Sequence, residues 1–410
     1  MIGDPFVLGV NYWPRRKAMY WWGDFDPGEV DEEFALIAEL GLNVVRMFLL
    51  WDDFQPEPSD VSEEALSNLV VVADTAAKYN LGLDVTFFTG HMSGPNWAPG
   101  WLLGGQLPPK EWGRQVVSGG KVVMEGYRNM FHDPVALGAQ KILIERVVKR
   151  LKDHSGIWMW NLGNEPDLFA WPDTFKDGRG WTREMRDLIR QIDPVHPVTC
   201  GLHGDSLYRD NGLRIDQIFA ETDVAVMHSY SIYTDWLEDP LDPDFAAFSC
   251  ALTAALCGKP VLMEEFGGCT AQPGEPTHTI EWDSLGRKRK QLMVSEEDLA
   301  EFIRLSLQRL VETGATGAIV WCFADYIPEL WDKPPCVEAR HERFFGLVRP
   351  DGSLKPHAKE LQKFADRKPV IQAMPDYARF AVDPDDYYEF PLIKIKEFYE
   401  KFKTGTEGNK

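Results

Sequence analysis

The sequence predicts an α/β protein: a (β/α)8 TIM barrel with long βα loops over its C-terminal face and a C-terminal tail. Three observations carry this prediction. Eight apolar segments rich in β-branched residues recur along the 410 residues, without the alternation of a half-exposed strand. Amphipathic segments lie between and after them, giving about eight strand–helix units in roughly 360 residues, the count of a closed barrel. After the first strand stands Gly9-Val10-Asn11-Tyr12-Trp13-Pro14, which is not the Gly-rich phosphate turn of an open doubly wound sheet.

In chain order, the strands are expected at 6–11, 43–49, 82–89, 157–163, 197–202, 223–228, 260–265 and 316–323. The helices are expected at 29–40, 62–79, 134–153, 182–192, 212–220, 244–257, 295–313 and 355–366. Several helices have start signals: Ser62 before Glu63-Glu64, Asp133 before Pro134, and Ser295 before Glu296-Glu297. Three insertions interrupt the pattern. Gly90–Asp133 carries Trp97, Trp101, Trp112, Tyr127 and Phe131; Gly267–Leu292 follows; Tyr326–Pro350 carries Trp331, Phe344 and Phe345. Each follows a strand, so each is expected over the C-terminal face, where barrel sites lie. Residues 1–366 are read as the barrel and 367–410 as a tail that packs on it or makes a subunit contact, which leaves a homo-oligomer open.

The formal net charge of −21 argues against nucleic acid and anionic polymers and favours a neutral substrate. The basic run Arg287-Lys288-Arg289-Lys290 reads as a solvated loop before a helix. No apolar run is long enough to span a membrane. The Met1-Ile2-Gly3-Asp4 start has no basic signal-peptide region. The six cysteines form no CxxC pair and read as reduced buried thiols. A cytoplasmic location is the expectation.

The chemistry lies at two strand ends. Asn164-Glu165-Pro166 closes the fourth strand, and Glu264-Glu265-Phe266-Gly267 closes the seventh. Hydrolysis of a glycoside with retention needs a protonated acid and an ionised nucleophile facing each other across a sugar ring, about 5–5.5 Å apart. Glu165 is the expected acid/base and Glu265 the expected nucleophile. Strand alternation turns Glu264 away from the interior. Arg46, closing Val44-Val45-Arg46, and Tyr230 are expected to hold Glu265 ionised, and that charge to raise the pKa of Glu165. Asn164 is placed to bind the sugar 2-hydroxyl, His91 just after the third strand, His228 near Glu165 or the leaving-group oxygen, and Trp321 to floor the ring. Trp13 and Trp97 are counted with the sugar-binding aromatics. No HxH or HExxH occurs, so neither a metal nor another cofactor is expected.

Together, Arg46, His91, Asn164, Glu165, His228, Tyr230, Glu265 and Trp321 resemble the shared active-site set of glycoside hydrolase family 5, in the clan of retaining (β/α)8 glycosidases. The resemblance covers residues 6 to about 366. Asn11-Tyr12-Trp13-Pro14, Ala18-Met19-Tyr20-Trp21-Trp22 and Phe48-Leu49-Leu50-Trp51 look like the family's intracellular β-mannosidase-like branch. Gly9-Val10-Asn11-Tyr12-Trp13-Pro14 and Phe345-Gly346-Leu347-Val348-Arg349-Pro350-Asp351-Gly352 also look like clan β-galactosidases. The resemblance implies an exo-β-mannosidase acting on short oligosaccharides. Its alternatives are an endo-acting mannanase or cellulase, a clan β-galactosidase or β-glucosidase, and a non-catalytic sugar-binding barrel.

Overall fold

The computed structural model describes residues 1–284 and 286–408. Leu285, in the second insertion, and residues 409–410, at the end of the tail, lie outside the described residues. Eight parallel strands form the centre: β1 (Val7–Asn11), β2 (Val44–Leu50), β3 (Gly82–Thr89), β4 (Ile157–Asn164), β5 (Val198–Gly201), β6 (Ala225–His228), β7 (Val261–Phe266) and β8 (Gly317–Val320). They bond in the order β5-β4-β3-β2-β1-β8-β7-β6. A parallel bridge between His203 and His228 joins the two ends and closes the barrel. Helices cover the outside and side chains fill the inside, so the strands are buried on both faces and their sequences do not alternate.

The covering helices are α1 (Pro27–Glu39), α2 (Glu63–Lys78), α3 (Pro134–Leu151), α4 (Phe175–Ile192), α5 (Ile215–Phe219), α6 (Asp244–Cys257), α7 (Glu296–Glu312) and α8 (Pro356–Asp366). Their starts are satisfied by side chains. Ser62 Oγ accepts from Ala65 N, Asp133 Oδ1 from Val135 N and Ala136 N, and Ser295 Oγ from Asp298 N. α4 begins seven residues before the sequence expectation, capped by Thr174. Gly178 and Gly180 weaken the helical signal in its first turns. Gly178 is there for packing: a Cβ on it would lie 2.1 Å from Gly212 O.

The insertions fold over the C-terminal end. After β3, Asn96–Trp97, Val116–Ser118 and Lys121–Val123 form a small sheet, and Leu103–Gly105 pairs with Gly126–Tyr127. After β7, His278–Ser284 and Arg287–Met293 form an antiparallel hairpin. The basic run 287–290 is therefore a strand of this hairpin and not a loop, a correction to the sequence expectation. Its alternating side chains find partners: Arg287 donates to Glu111 O and Lys110 O, and Arg289 to Gly113 O. The other hairpin strand is held by Trp282, whose Nε1 donates to Glu338 O. The hairpin thus ties the β3, β7 and β8 insertions together.

The tail ends in α9 (Pro384–Glu389) and α10 (Pro391–Gly408). Tyr387 OH donates to Leu207 O and Tyr388 OH to Ser206 O. Lys403 Nζ lies 2.8 Å from Asp244, and Tyr399 packs edge-on against Phe248. No helix among the described residues is long and apolar enough to cross a membrane.

Candidate active site

Glu165 ends β4 with φ 46° and ψ 52°, in the left-handed region, before Pro166 opens a short helical turn. That conformation costs a non-glycine residue on the order of 1 kcal/mol and persists where its surroundings enforce it. Here Glu165 N donates to Gly201 O at 2.8 Å, tying the end of β4 to β5.

On β7 the register changes. Met263 pairs with Met227 and Ala318, but Glu265 pairs with His228 and Phe266 with Val320. One extra residue on β7 forms a bulge, and the strand loses its alternation there. Glu264, expected to face outward, is instead fully buried in the barrel interior with Glu265 above it. Gly201 makes room for it: a Cβ there would lie 2.8 Å from Glu264 Oε2 and 2.6 Å from Arg46 Nη2.

Arg46 stands at the centre, fully buried. Its Nη1 donates to Glu265 Oε1 at 2.5 Å and Asn11 Oδ1 at 3.0 Å, and its Nη2 to Asn164 Oδ1 at 3.0 Å. Glu264 Oε2 lies 3.4 Å from the same guanidinium and Asp84 3.8 Å from its Nε. Tyr230 OH donates to the other Glu265 oxygen at 2.8 Å. His228 bridges the carboxylates, with Nδ1 3.0 Å from Glu165 Oε1 and 3.4 Å from Glu265 Oε1, and Nε2 2.9 Å from Glu264 Oε2. An oxygen of Glu165 and one of Glu265 lie within 4.8 Å of each other.

A cavity of about 420 Å³ opens over this group. His91, Asn164, Glu165, Tyr230, Glu265 and Trp321 line it, while Arg46 and His228 lie beneath. The structure therefore gathers all eight residues of the resemblance. Trp13 and Trp97 do not reach the cavity. Trp13 stacks on Phe48 at 5.2 Å and its Nε1 points at Met92 Sδ; Trp97 Nε1 donates to Met92 O. Both are core residues that hold Met92, itself a lining residue, from behind. Of the other insertion tryptophans, Trp112 lines the cavity, whereas Trp101 packs on Trp51 and Trp331 on Phe344.

Further lining residues were not singled out from the sequence: His203, Arg114, Trp282, Tyr233, His341 and Glu342. His203 sits just past β5, where the strand-end rule that selected His228 applies equally. Tyr233 comes from the loop after β6 and the others from the insertions, none of which has a register that periodicity fixes.

Electrostatics in the group differ from the sequence expectation. Burial pushes Glu165 up, but His203, the hydrogen bond and charge of His228, and His91 hold it well below the usual carboxylate range. His228, despite its burial, is pushed up to about 10 by Glu265, Glu165 and Glu264. Glu265 is raised by burial and by Glu165, against His228, Arg46 and Tyr230. The Glu165–His228 pair thus holds one proton across a 3.0 Å contact, on the imidazole in the free site. The expected rise at Glu165 is not found because His228, expected near Glu165 or the leaving-group oxygen, is held protonated there, and it and the neighbouring histidines outweigh the burial of Glu165. Burial also lifts Glu342 to about 7 and, with the Glu165 charge, Asp167 to about 8. His91 is pushed down to about 3 by burial and Arg114, so it is neutral.

Comparison with known proteins fits this geometry. The chain is 28% identical over 218 residues to mannan endo-1,4-beta-mannosidase 8 of Oryza sativa subsp. japonica, covering 49% of this chain and 54% of that one. The chain spans about half the length of the curated relatives it matches first. Among solved structures it resembles GH5_18 of Streptomyces cattleya in complex with Manβ1-4GlcNAc, with TM-score 0.72, 22% identity, and 89% of this chain and 81% of that one covered. It also resembles an exo-beta-1,4-mannosidase of Opitutaceae bacterium strain TAV5, with TM-score 0.71, 25% identity, and 90% and 60% covered. The family model for glycosyl hydrolases family 2, TIM barrel domain, matches residues 114–368. The family number differs from that of the sequence resemblance, but the barrel agrees. The chain therefore belongs to the glycosyl hydrolases with the family 2 TIM barrel domain.

Proposed function

We propose that the protein is a retaining exo-β-mannosidase that releases mannose from short β-mannosides by double displacement. The observation that carries the reading is the approach of Glu165 and Glu265, with oxygens within 4.8 Å, on the ends of β4 and β7. That approach suits the retaining separation of about 5–5.5 Å and leaves no room for the water of an inverting site, which needs about 6.5–9.5 Å.

In this reading Glu265 attacks the anomeric carbon while the proton held by Glu165 and His228 goes from Glu165 to the leaving oxygen. A glycosyl ester on Glu265 results. Glu165, now a carboxylate, takes a proton from water, whose oxygen attacks the anomeric carbon and frees Glu265. Arg46 and Tyr230 orient Glu265 and stabilise its charge. Asn164 donates one N–H to His91 O at 2.9 Å, leaving the other for a sugar hydroxyl. Trp321 supplies an apolar face to the ring.

Exo action is supported by the hairpin at 278–293, which links three insertions beside the cavity. Likeness to an exo-beta-1,4-mannosidase supports it as well. An endo-acting mannanase is the second reading, favoured by the names of the curated relatives. A reducing compartment such as the cytoplasm is in keeping with six unpaired cysteines, five of them buried. The test is hydrolysis of mannotriose and mannohexaose with the anomer followed by NMR. We expect mannose released stepwise as the β-anomer. Early internal cleavage of mannohexaose would favour the endo reading, and α-mannose as first product would overturn the retaining mechanism.

A further inference from the structure

Glu264 does not touch the cavity, yet it is among the most constrained side chains in the protein. It is fully buried, reached through the β7 bulge, with Gly201 beside it. Its Oε1 accepts from Asn161 Nδ2 at 3.0 Å, and its Oε2 lies 2.9 Å from His228 Nε2 and 3.4 Å from Arg46 Nη2. On the other side of the imidazole, Nδ1 faces Glu165. Glu264, His228 and Glu165 form an unbroken line from the barrel core to the cavity. A carboxylate on one ring nitrogen fixes the tautomer and makes the other nitrogen more basic.

We propose that Glu264 is a positioning residue that holds the proton of the Glu165–His228 pair and so sets the upper pH limit of catalysis. The proposal rests on the reading of Glu165 as the acid. Glu264 keeps His228 Nε2 protonated, so the second imidazole proton lies on Nδ1, against Glu165 Oε1. As the leaving oxygen arrives and water is displaced, that proton passes to Glu165. A turn of the carboxyl about its Cγ–Cδ bond then presents it to the leaving oxygen. His228 is left neutral and Glu165 ionised, and the proton returns to the pair from water in the second step.

The groups facing this line are few. Arg46 faces Glu264 from β2, and Asp84 faces both from β3. Burial and the Glu264 charge keep Asp84 well above the usual carboxylate range, so it adds no second negative charge. The same burial opposes ionisation of Glu264, but Arg46 and His228 hold it ionised. Cys200 on β5 is a buried neutral thiol, and Glu265 and His203 flank His228. Among the described residues, Glu264 is the hydrogen-bond partner of His228 Nε2, the ring nitrogen away from the cavity.

The test is Glu264→Gln, which keeps the shape and removes the charge. Loss of a negative charge so near the pair should lower its pKa by about one unit or more. For a β-mannoside with a poor leaving group, the basic limb of kcat/KM should move acidward by that amount, with a loss that grows to about ten-fold at pH values above the native limb and is small at pH 8. A dinitrophenyl β-mannoside, whose departure needs no acid, should keep its first-step rate. Equal losses on both substrates, or a limb that does not move, would overturn the proposal. NMR of histidine-labelled protein without substrate gives an independent arm. In the native protein the His228 ring should stay protonated at Nε2 and should not titrate between pH 5 and 8. Titration near the ordinary value of about 6.5 would overturn the proposal even if the variant does not fold. If the native protein turns over no mannoside, the functional reading fails while the NMR arm still decides the role of Glu264.

Discussion

Glu165 and Glu265 occupy equivalent strand ends but unlike surroundings, and the proposed roles follow from that difference. Glu265 is gripped by Arg46 and Tyr230, whereas Glu165 shares a proton with His228. Replacing Glu265 by Ala should lower turnover of every substrate by three orders of magnitude or more, to be checked with azide as an external nucleophile. Glu165→Ala should spare the first step for dinitrophenyl mannosides and cost a poor leaving group about 10²–10⁴-fold, the usual worth of a general acid. Equal losses on both would remove Glu165 from the acid role. Arg46→Ala should do damage of another kind. It takes the guanidinium from buried Glu264 and Glu265, leaving His228 to bridge them, and removing one partner of a buried ion pair costs about 3–5 kcal/mol. Thermal melting should show this loss without any substrate present. Asn164, Glu165 and Glu265 were legible in the sequence because a polar residue ending an apolar run stands out; Arg46 was legible as the one charge in an apolar run, but it lies inside β2, which continues to Leu50, and does not close it as expected. The inward turn of Glu264 was not, since a bulge is a mismatch between neighbouring strands and leaves no trace in one strand's own pattern.

Among the secondary-structure elements, β5 shows how tightly the interior is filled. Gly201 has a Gly backbone for want of space, with Arg46, Glu264 and the Gly163 carbonyl all within 3 Å of where its Cβ would stand. Gly201→Ala should destabilise the protein by about 1–3 kcal/mol through overpacking. It should also lower activity by displacing Glu264 and Arg46; an unchanged melting temperature with full activity would contradict this account. The hairpin at 278–293 makes the opposite kind of contribution. It lies outside the barrel and is tied by Arg287, Arg289 and Trp282 to the neighbouring insertions. Shortening it to a tight turn should leave the melting temperature nearly unchanged. It should raise the ratio of internal to terminal cleavage on mannohexaose, measured from the first products.

The molecule as a whole carries a charge pattern that ties its stability to pH. Burial lifts Glu33 and Asp167 to about 8, and Asp53 and Glu342 to about 7. Each has a folded pKa above its unfolded value of about 4, so its contribution is complete below that value and is lost as pH rises through 7–8. His228, lifted to about 10, adds a loss of the same sign between its unfolded value of about 6.5 and 10. His91 and His357, pushed down by burial to about 3, and His341, to about 4, act on the other side: their contribution is lost as pH falls below about 6.5. Above pH 6.5 the histidine contribution is complete and the carboxyl and His228 contributions are both being lost, so the melting temperature should fall steadily from pH 6.5 to 9. A melting temperature that rose over that interval would show that these carboxyls are not buried as described.

The strand order, the helix starts at Ser62, Asp133 and Ser295, and the two glutamate motifs could all be read from the chain, because hydrophobic periodicity and capping are local and each leaves its own pattern. Long-range packing decided the rest. A bulge on β7 turned Glu264 inward, the approach of β6 to β4 put His228 against Glu165, and the fold of the β3 insertion drew Trp13 and Trp97 behind Met92 instead of into the cavity. The basic run became a hairpin strand because its partner strand lay a turn away and its arginines found carbonyls on another insertion. Burial and distance set each pKa in the site, and neither exists until β2, β4, β6 and β7 stand around one centre.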